Sequence, residues 1–110
     1  MPEIVPPELL ARTTPIAFYG YAHAKPGKYR TLLDRMLELG PPSRNEPGVL
    51  VYEIHHDATR SDSVAFYELY ADGEALRTHI EQPYMVAFFE DSTSMLRTDL
   101  EIIALDPIRP

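Results

Sequence analysis

The two runs at residues 49–57 and 63–71 restrict the fold more than any other feature of the chain. Both are rich in β-branched and aromatic residues, both lack proline, and only the polar loop 58–62 separates them. They predict two antiparallel strands of one sheet. Residues 16–24 have the same character and end at Lys25-Pro26-Gly27. Helical spacing follows: Tyr29, Leu32, Leu33, Met36 and Leu37 recur as one buried stripe until Gly40-Pro41-Pro42 stops the helix. Residues 43–46 add an irregular turn before Pro47-Gly48. Asp72 is a good N-cap for a helix with Ala75, Leu76, His79 and Ile80 on one side. Pro83 suits the first turn of another helix, which turns Tyr84, Met85, Phe88 and Phe89 inward. Residues 100–105 form the last strand.

The order β-α-β-β-α-β, with the second helical segment broken near Pro83, predicts an α+β, ferredoxin-like fold. A four-stranded antiparallel sheet carries the helices on one face and occupies residues 16–105. Residues 1–15, with four prolines, are expected to be an extended or loosely docked arm, or one laid across a partner subunit. Residues 106–110 form a tail. The opposite sheet face, expected to carry Val49, Val51, Tyr67 and Leu69, is left bare on a small domain. That predicts a sheet-to-sheet homodimer.

Function classes narrow quickly. Ten Lys and Arg are scattered among seventeen Asp and Glu, a net charge of -7, so no nucleic-acid surface is expected. No apolar run approaches a membrane span, and no secretory signal is recognisable at the N-terminus. The absence of cysteine excludes disulfides, thiolate catalysis and Cys-ligated metals, and it fits a cytoplasmic protein. His55 and His56 alternate faces and no helical His pair has ligand spacing, so no metal site is expected. Phosphate-cradling loops and the G-x-S-x-G nucleophile elbow are also absent from the sequence.

A simple hairpin across 58–62 sets Leu50 opposite Tyr70, Tyr52 opposite Glu68, and Ile54 opposite Phe66, all on one face. That face belongs under the helices, where a carboxylate such as Glu68 is costly unless bonded or solvated through a cavity. Tyr52 is an obvious donor to it, and His79 is placed to reach the same space. A histidine held by a carboxylate gains basicity and a fixed tautomer, as a general base requires. The same three groups would equally serve as a structural triad pinning helix to sheet. His23, at the end of the first strand, is expected at the rim. Arg44 is either an exposed loop residue or a holder of an anionic substrate.

Across roughly residues 16–105 the chain resembles the antibiotic biosynthesis monooxygenase (quinol-monooxygenase-like) family. The resemblance is carried by Lys25-Pro26-Gly27-Lys28, Ser43-Arg44-Asn45-Glu46-Pro47-Gly48, Tyr52-Glu53, Tyr67-Glu68-Leu69-Tyr70, and Ala75, His79 and Gln82-Pro83-Tyr84 in order. It implies a dimeric α/β barrel with a pocket between sheet and helices in each subunit. It also implies oxidation of an aromatic quinol or polyketide-like phenol by O2 without flavin, metal or haem. In such chemistry the deprotonated substrate supplies its own electrons. His79 and Glu68 would be the catalytic pair, with Tyr52, Tyr70, Phe66, Phe88 and the rim residue His23 binding substrate. The chain departs from the family in lacking Trp, and Phe89 stands near the place of the Trp in haem-degrading relatives, so haem is disfavoured. A proton-transfer isomerase using the same pair, and a non-enzymatic binding dimer, are the competing expectations.

Overall fold

The computed structural model describes residues 5–108; residues 1–4 of the expected arm and 109–110 of the expected tail lie outside the described residues. The elements run α1 (Pro7–Leu10), β1 (Ile16–His23), α2 (Tyr29–Glu38), α3 (Gly40–Arg44), β2 (Val49–His56), β3 (Ser63–Tyr70), α4 (Gly73–Ile80), α5 (Pro83–Ser92) and β4 (Glu101–Leu105). The strands form one antiparallel sheet in the order β2-β3-β1-β4. Helices cover one face, and the expected ferredoxin-like architecture is present.

Alternation along the strands decides what meets the helices. Phe18 and Ala22 of β1, Tyr52 of β2, and Val64, Phe66 and Tyr70 of β3 are buried, against Leu32 and Met36 of α2, Leu76 and Ile80 of α4, and Met85 and Phe88 of α5. Asp72 caps α4 as expected, its carboxylate accepting the Ala75 N–H at 2.8 Å.

Three local expectations change. β2 carries a bulge between Val49 and Val51, so that Val49, not Leu50, pairs with Tyr70. One inserted residue reverses the alternation: Val49 turns into the core, and Leu50 is 53% exposed. From Tyr52 onward the expected pairs hold, Tyr52 with Glu68 and Ile54 with Phe66. Leu37 is exposed rather than inward, because Leu32 and Met36 define the buried line of α2 and Leu37 lies off it. Gly40-Pro41-Pro42 does end α2, but it also starts α3, since a proline in the first turn loses no helical hydrogen bond.

The outer face of the sheet is apolar in cross-strand rows. Val51, Leu69, Ala17 and Leu105 form one row, and Tyr67, Tyr19 and Ile103 continue beside Glu53. Tyr19, Ile103 and Leu105 are each about two-fifths exposed there. Among the described residues no helix is long and apolar enough to cross a membrane.

Candidate active site

His79 stands in the last turn of α4, on the stripe that buries Gly73, Leu76 and Ile80. Its ring is 1% exposed and surrounded by phenols: ring centroids lie 5.6 Å from Tyr52, 5.4 Å from Tyr70 and 6.5 Å from Tyr84. The carboxylate bonded to it is Glu46, whose Oε2 lies 2.9 Å from His79 Nδ1 and also accepts the Tyr84 hydroxyl. Glu68, the expected partner, is not bonded to the imidazole. An ionised carboxylate only accepts, so Nδ1 carries the hydrogen, and in the neutral imidazole Nε2 is the nitrogen with the free lone pair.

Glu46 reaches this position through the turn that precedes β2. Glu46 N–H bonds to Ser43 O at 3.1 Å, and Val49 N–H bonds back to Glu46 O at 3.1 Å. Gly48 then lets α4 come close, since a Cβ there would fall 2.4 Å from the Cβ of Ala75. Tyr84 comes from the first turn of α5, just beyond Pro83.

His79 also walls a cavity of about 50 Å³, together with Phe18, Tyr52, Phe66, Glu68, Tyr70 and Phe88. Glu46 is not part of that wall. The Nδ1 edge of the ring faces the turn, and the ring itself lines the cavity. His79 Nε2, Glu46 Oε1 and Ser43 Oγ are the buried side-chain polar atoms without a protein partner among the described residues. Such atoms are uncommon in folded proteins, and here they belong to α3, the following turn and α4; of the three residues, His79 lines the cavity.

Glu68 forms part of the cavity wall and accepts a hydrogen bond from Tyr70, not from Tyr52 as expected. Burial pushes its carboxyl above the usual value, against the opposing pull of the Tyr70 hydroxyl and the His79 ring. Burial, and then the Glu68 charge, raise both Tyr52 and Tyr70. Burial and the bond to Glu46 raise Tyr84. All these phenols keep their protons, and Tyr70 and Tyr84 donate theirs to Glu68 and Glu46.

Of the residues expected to bind substrate, Tyr52, Tyr70, Phe66 and Phe88 meet at the cavity. His23 does not: it lies on the outer sheet face, stacked on Tyr21, with Nδ1 2.7 Å from Ser63 Oγ and Nε2 3.0 Å from Glu101. Strand parity explains this, because Phe18 and Ala22 face the helices and His23 falls on the odd side. Arg44 donates to the Tyr52 carbonyl at 3.1 Å and is outside the cavity. No group of three or more His, Asp or Glu side chains that could hold a metal occurs among the described residues. Glu46 and Tyr84 had no role assigned from the sequence. The signals were the Glu46-Pro47-Gly48 turn and the Tyr84 that follows Pro83.

Comparison with known proteins agrees with the fold. A Synechocystis protein of uncharacterised function, sll1783, is 33% identical over 88 residues, covering 80% of this chain; the chain spans 60% of that relative's length. The crystal structure of PA3566 from Pseudomonas aeruginosa has a TM-score of 0.82 at 27% identity, covering 87% of this chain and 96% of that one. Rv0793 from Mycobacterium tuberculosis shares the fold, with a TM-score of 0.83 at 20% identity over 88% of this chain and 98% of that one. The sequence profile described as antibiotic biosynthesis monooxygenase matches residues 15–91, the span from β1 into α5 that carries Glu46, Glu68, His79 and Tyr84. This chain belongs to the antibiotic biosynthesis monooxygenase family.

Proposed function

We propose that the protein is a cofactor-independent monooxygenase acting on an aromatic quinol or a polyketide-like phenol. The supporting observation is His79 itself: one ring nitrogen is fixed by Glu46, the other is buried and unpartnered, and the ring lines an aromatic-walled cavity. That is the geometry of a general base with its tautomer set. In the proposed reaction Nε2 removes a proton from an anthrone-like carbon or a phenol, and Tyr52, whose hydroxyl is not committed to Glu68, donates toward the oxyanion that forms. The electron-rich anion reacts with O2. For an anthrone, one oxygen atom becomes the new carbonyl and the other leaves as water with the two hydrogens of the CH2 group. Burial of the wall keeps water away from the anion. The apolar outer face of the sheet is proposed to pair with a second copy of the chain.

Oxygen uptake with a panel of anthrones and hydroquinones tests the proposal, with His79→Ala expected to lower turnover about 10²- to 10⁴-fold. Binding of the panel without oxygen uptake sinks it. If anaerobic deuterium exchange at a substrate carbon persists in that case, the same pair serves a proton-transfer isomerase. If exchange is also absent, the site is a binding site only.

A further inference from the structure

The cavity is too small for the chemistry proposed for it. About 50 Å³ is room for a few waters, whereas sites for ring-sized ligands run to several hundred Å³. Some part of the wall must move. The sheet strands are fixed by their ladders, and α4 and α5 are anchored by Leu76, Ile80, Met85 and Phe88.

The remaining wall is of another kind. Val5 contributes to the lining, although it precedes the family-matched residues 15–91. The segment that carries it includes α1, four residues without a side-chain cap, far below the length at which a helix holds itself. Leu9 and Leu10 pack partly against the core. The chain is tied down by the Gly73 N–H, which donates to Arg12 O at 2.9 Å, and by an Arg12–Asp106 ion pair in which Asp106 is 74% exposed. A surface pair of that sort holds weakly.

The seat is nevertheless specific. A Cβ on Gly73 would fall 2.5 Å from Leu9 O and from the Leu10 carbonyl carbon and oxygen. Glycine is a poor helix former, so its place at the first position of α4 fits the need to admit the arm's backbone. The same helix carries His79 about 9 Å further along its axis.

We infer that residues 5–12 are a gate: a weakly latched wall, seated on Gly73, that lifts to admit the aromatic substrate and closes over it beside His79. The inference deepens the proposed function and rests on that reading for the identity of the ligand, but not for the motion.

Xenon and 1,4-dihydroxynaphthalene, the latter under argon, are the two probes, applied to the full chain and three variants. Xenon exchange with the cavity is followed by ¹²⁹Xe NMR, and quinol association by stopped-flow fluorescence. Arg12→Ala opens the latch and is expected to raise both rates about two- to fivefold. Gly73→Val removes the seat and is expected to raise them further. Val5→Trp fills the lining and is expected to abolish xenon entry. Circular dichroism checks that each variant is folded. Should a variant fail to fold, the remaining two decide the matter. Xenon exchange that is the same in the wild type and in every folded variant, or xenon entry into none of them, overturns the gate. Xenon rates that respond as expected while no quinol binds leave the gate standing and count against the monooxygenase reading instead.

Discussion

Gly48 and Ala75 touch so closely that no side chain fits between them: a Cβ on Gly48 would lie 2.4 Å from that of Ala75. The contact sets how near α4 comes to the turn before β2, and hence whether His79 reaches Glu46. Gly48→Ala should push the helix outward. Overpacking of this kind costs about 1–3 kcal/mol, to be measured by urea denaturation. The paired change Ala75→Gly should recover part of that loss, less about 1 kcal/mol for glycine within a helix. If the two changes add without coupling, the contact does not set the helix position.

Glu46 holds two donors at once, the His79 Nδ1–H and the Tyr84 hydroxyl. Glu46→Ala leaves the buried His79 Nδ1–H without an acceptor, and the half-buried Tyr84 hydroxyl with it, and is expected to cost about 1–3 kcal/mol in stability. Glu46→Gln keeps an acceptor oxygen but removes the charge that favours the imidazolium form. It should largely retain the fold while lowering any turnover about tenfold, equivalent to about 1.4 kcal/mol, because the positive charge that His79 takes up with the substrate proton is no longer compensated. Steady-state turnover unchanged in Glu46→Gln would remove Glu46 from the proton-transfer machinery.

Glu68 gives the protein an uncommon pH dependence. Its carboxyl is raised by burial above the ordinary value of 4.5, so the folded chain holds that proton more tightly than the unfolded chain does. Its stabilising contribution is therefore complete below pH 4.5 and is lost as pH rises toward the folded value, by at most about 1.4 kcal/mol per pH unit. Glu68→Gln should remove that slope while leaving an oxygen for the Tyr70 hydroxyl. Denaturation curves at successive pH values above 4.5 compare the two; equal slopes would mean that Glu68 is not desolvated in solution.

Much of the architecture could be read from local patterns, because strand alternation and helical stripes are short-range properties. The Tyr52–Glu68 and Ile54–Phe66 pairs followed from loop length alone. Two of the differences share one cause, which is that spacing does not reveal an inserted residue or a contact between distant turns. The bulge at Leu50 reversed the expected facing of Val49. The pairing of His79 with Glu46 joins residues 33 positions apart, through a turn whose role depends on Gly48 admitting α4. His23 was a different matter. Its parity with Tyr19 and Tyr21 already placed it on the far face from Phe18, and the structure assigns it to Ser63 and Glu101 there.

The outer sheet face offers the last test. Tyr19 pairs across the ladder with Tyr67 on one side and Ile103 on the other, and this row continues the apolar row from Val51 to Leu105. None of these side chains supports the helix-covered core, so charging them should leave the monomer's fold intact. Two-fold pairing would bring each row against its own copy, and like charges introduced there would then repel. Tyr19→Glu with Ile103→Glu is expected to convert a dimer to a monomer, read by sedimentation velocity, with little change in far-ultraviolet circular dichroism. The same sedimentation coefficient in the wild type and the double variant would mean that this face does not join two copies. The apolar rows would then need another partner.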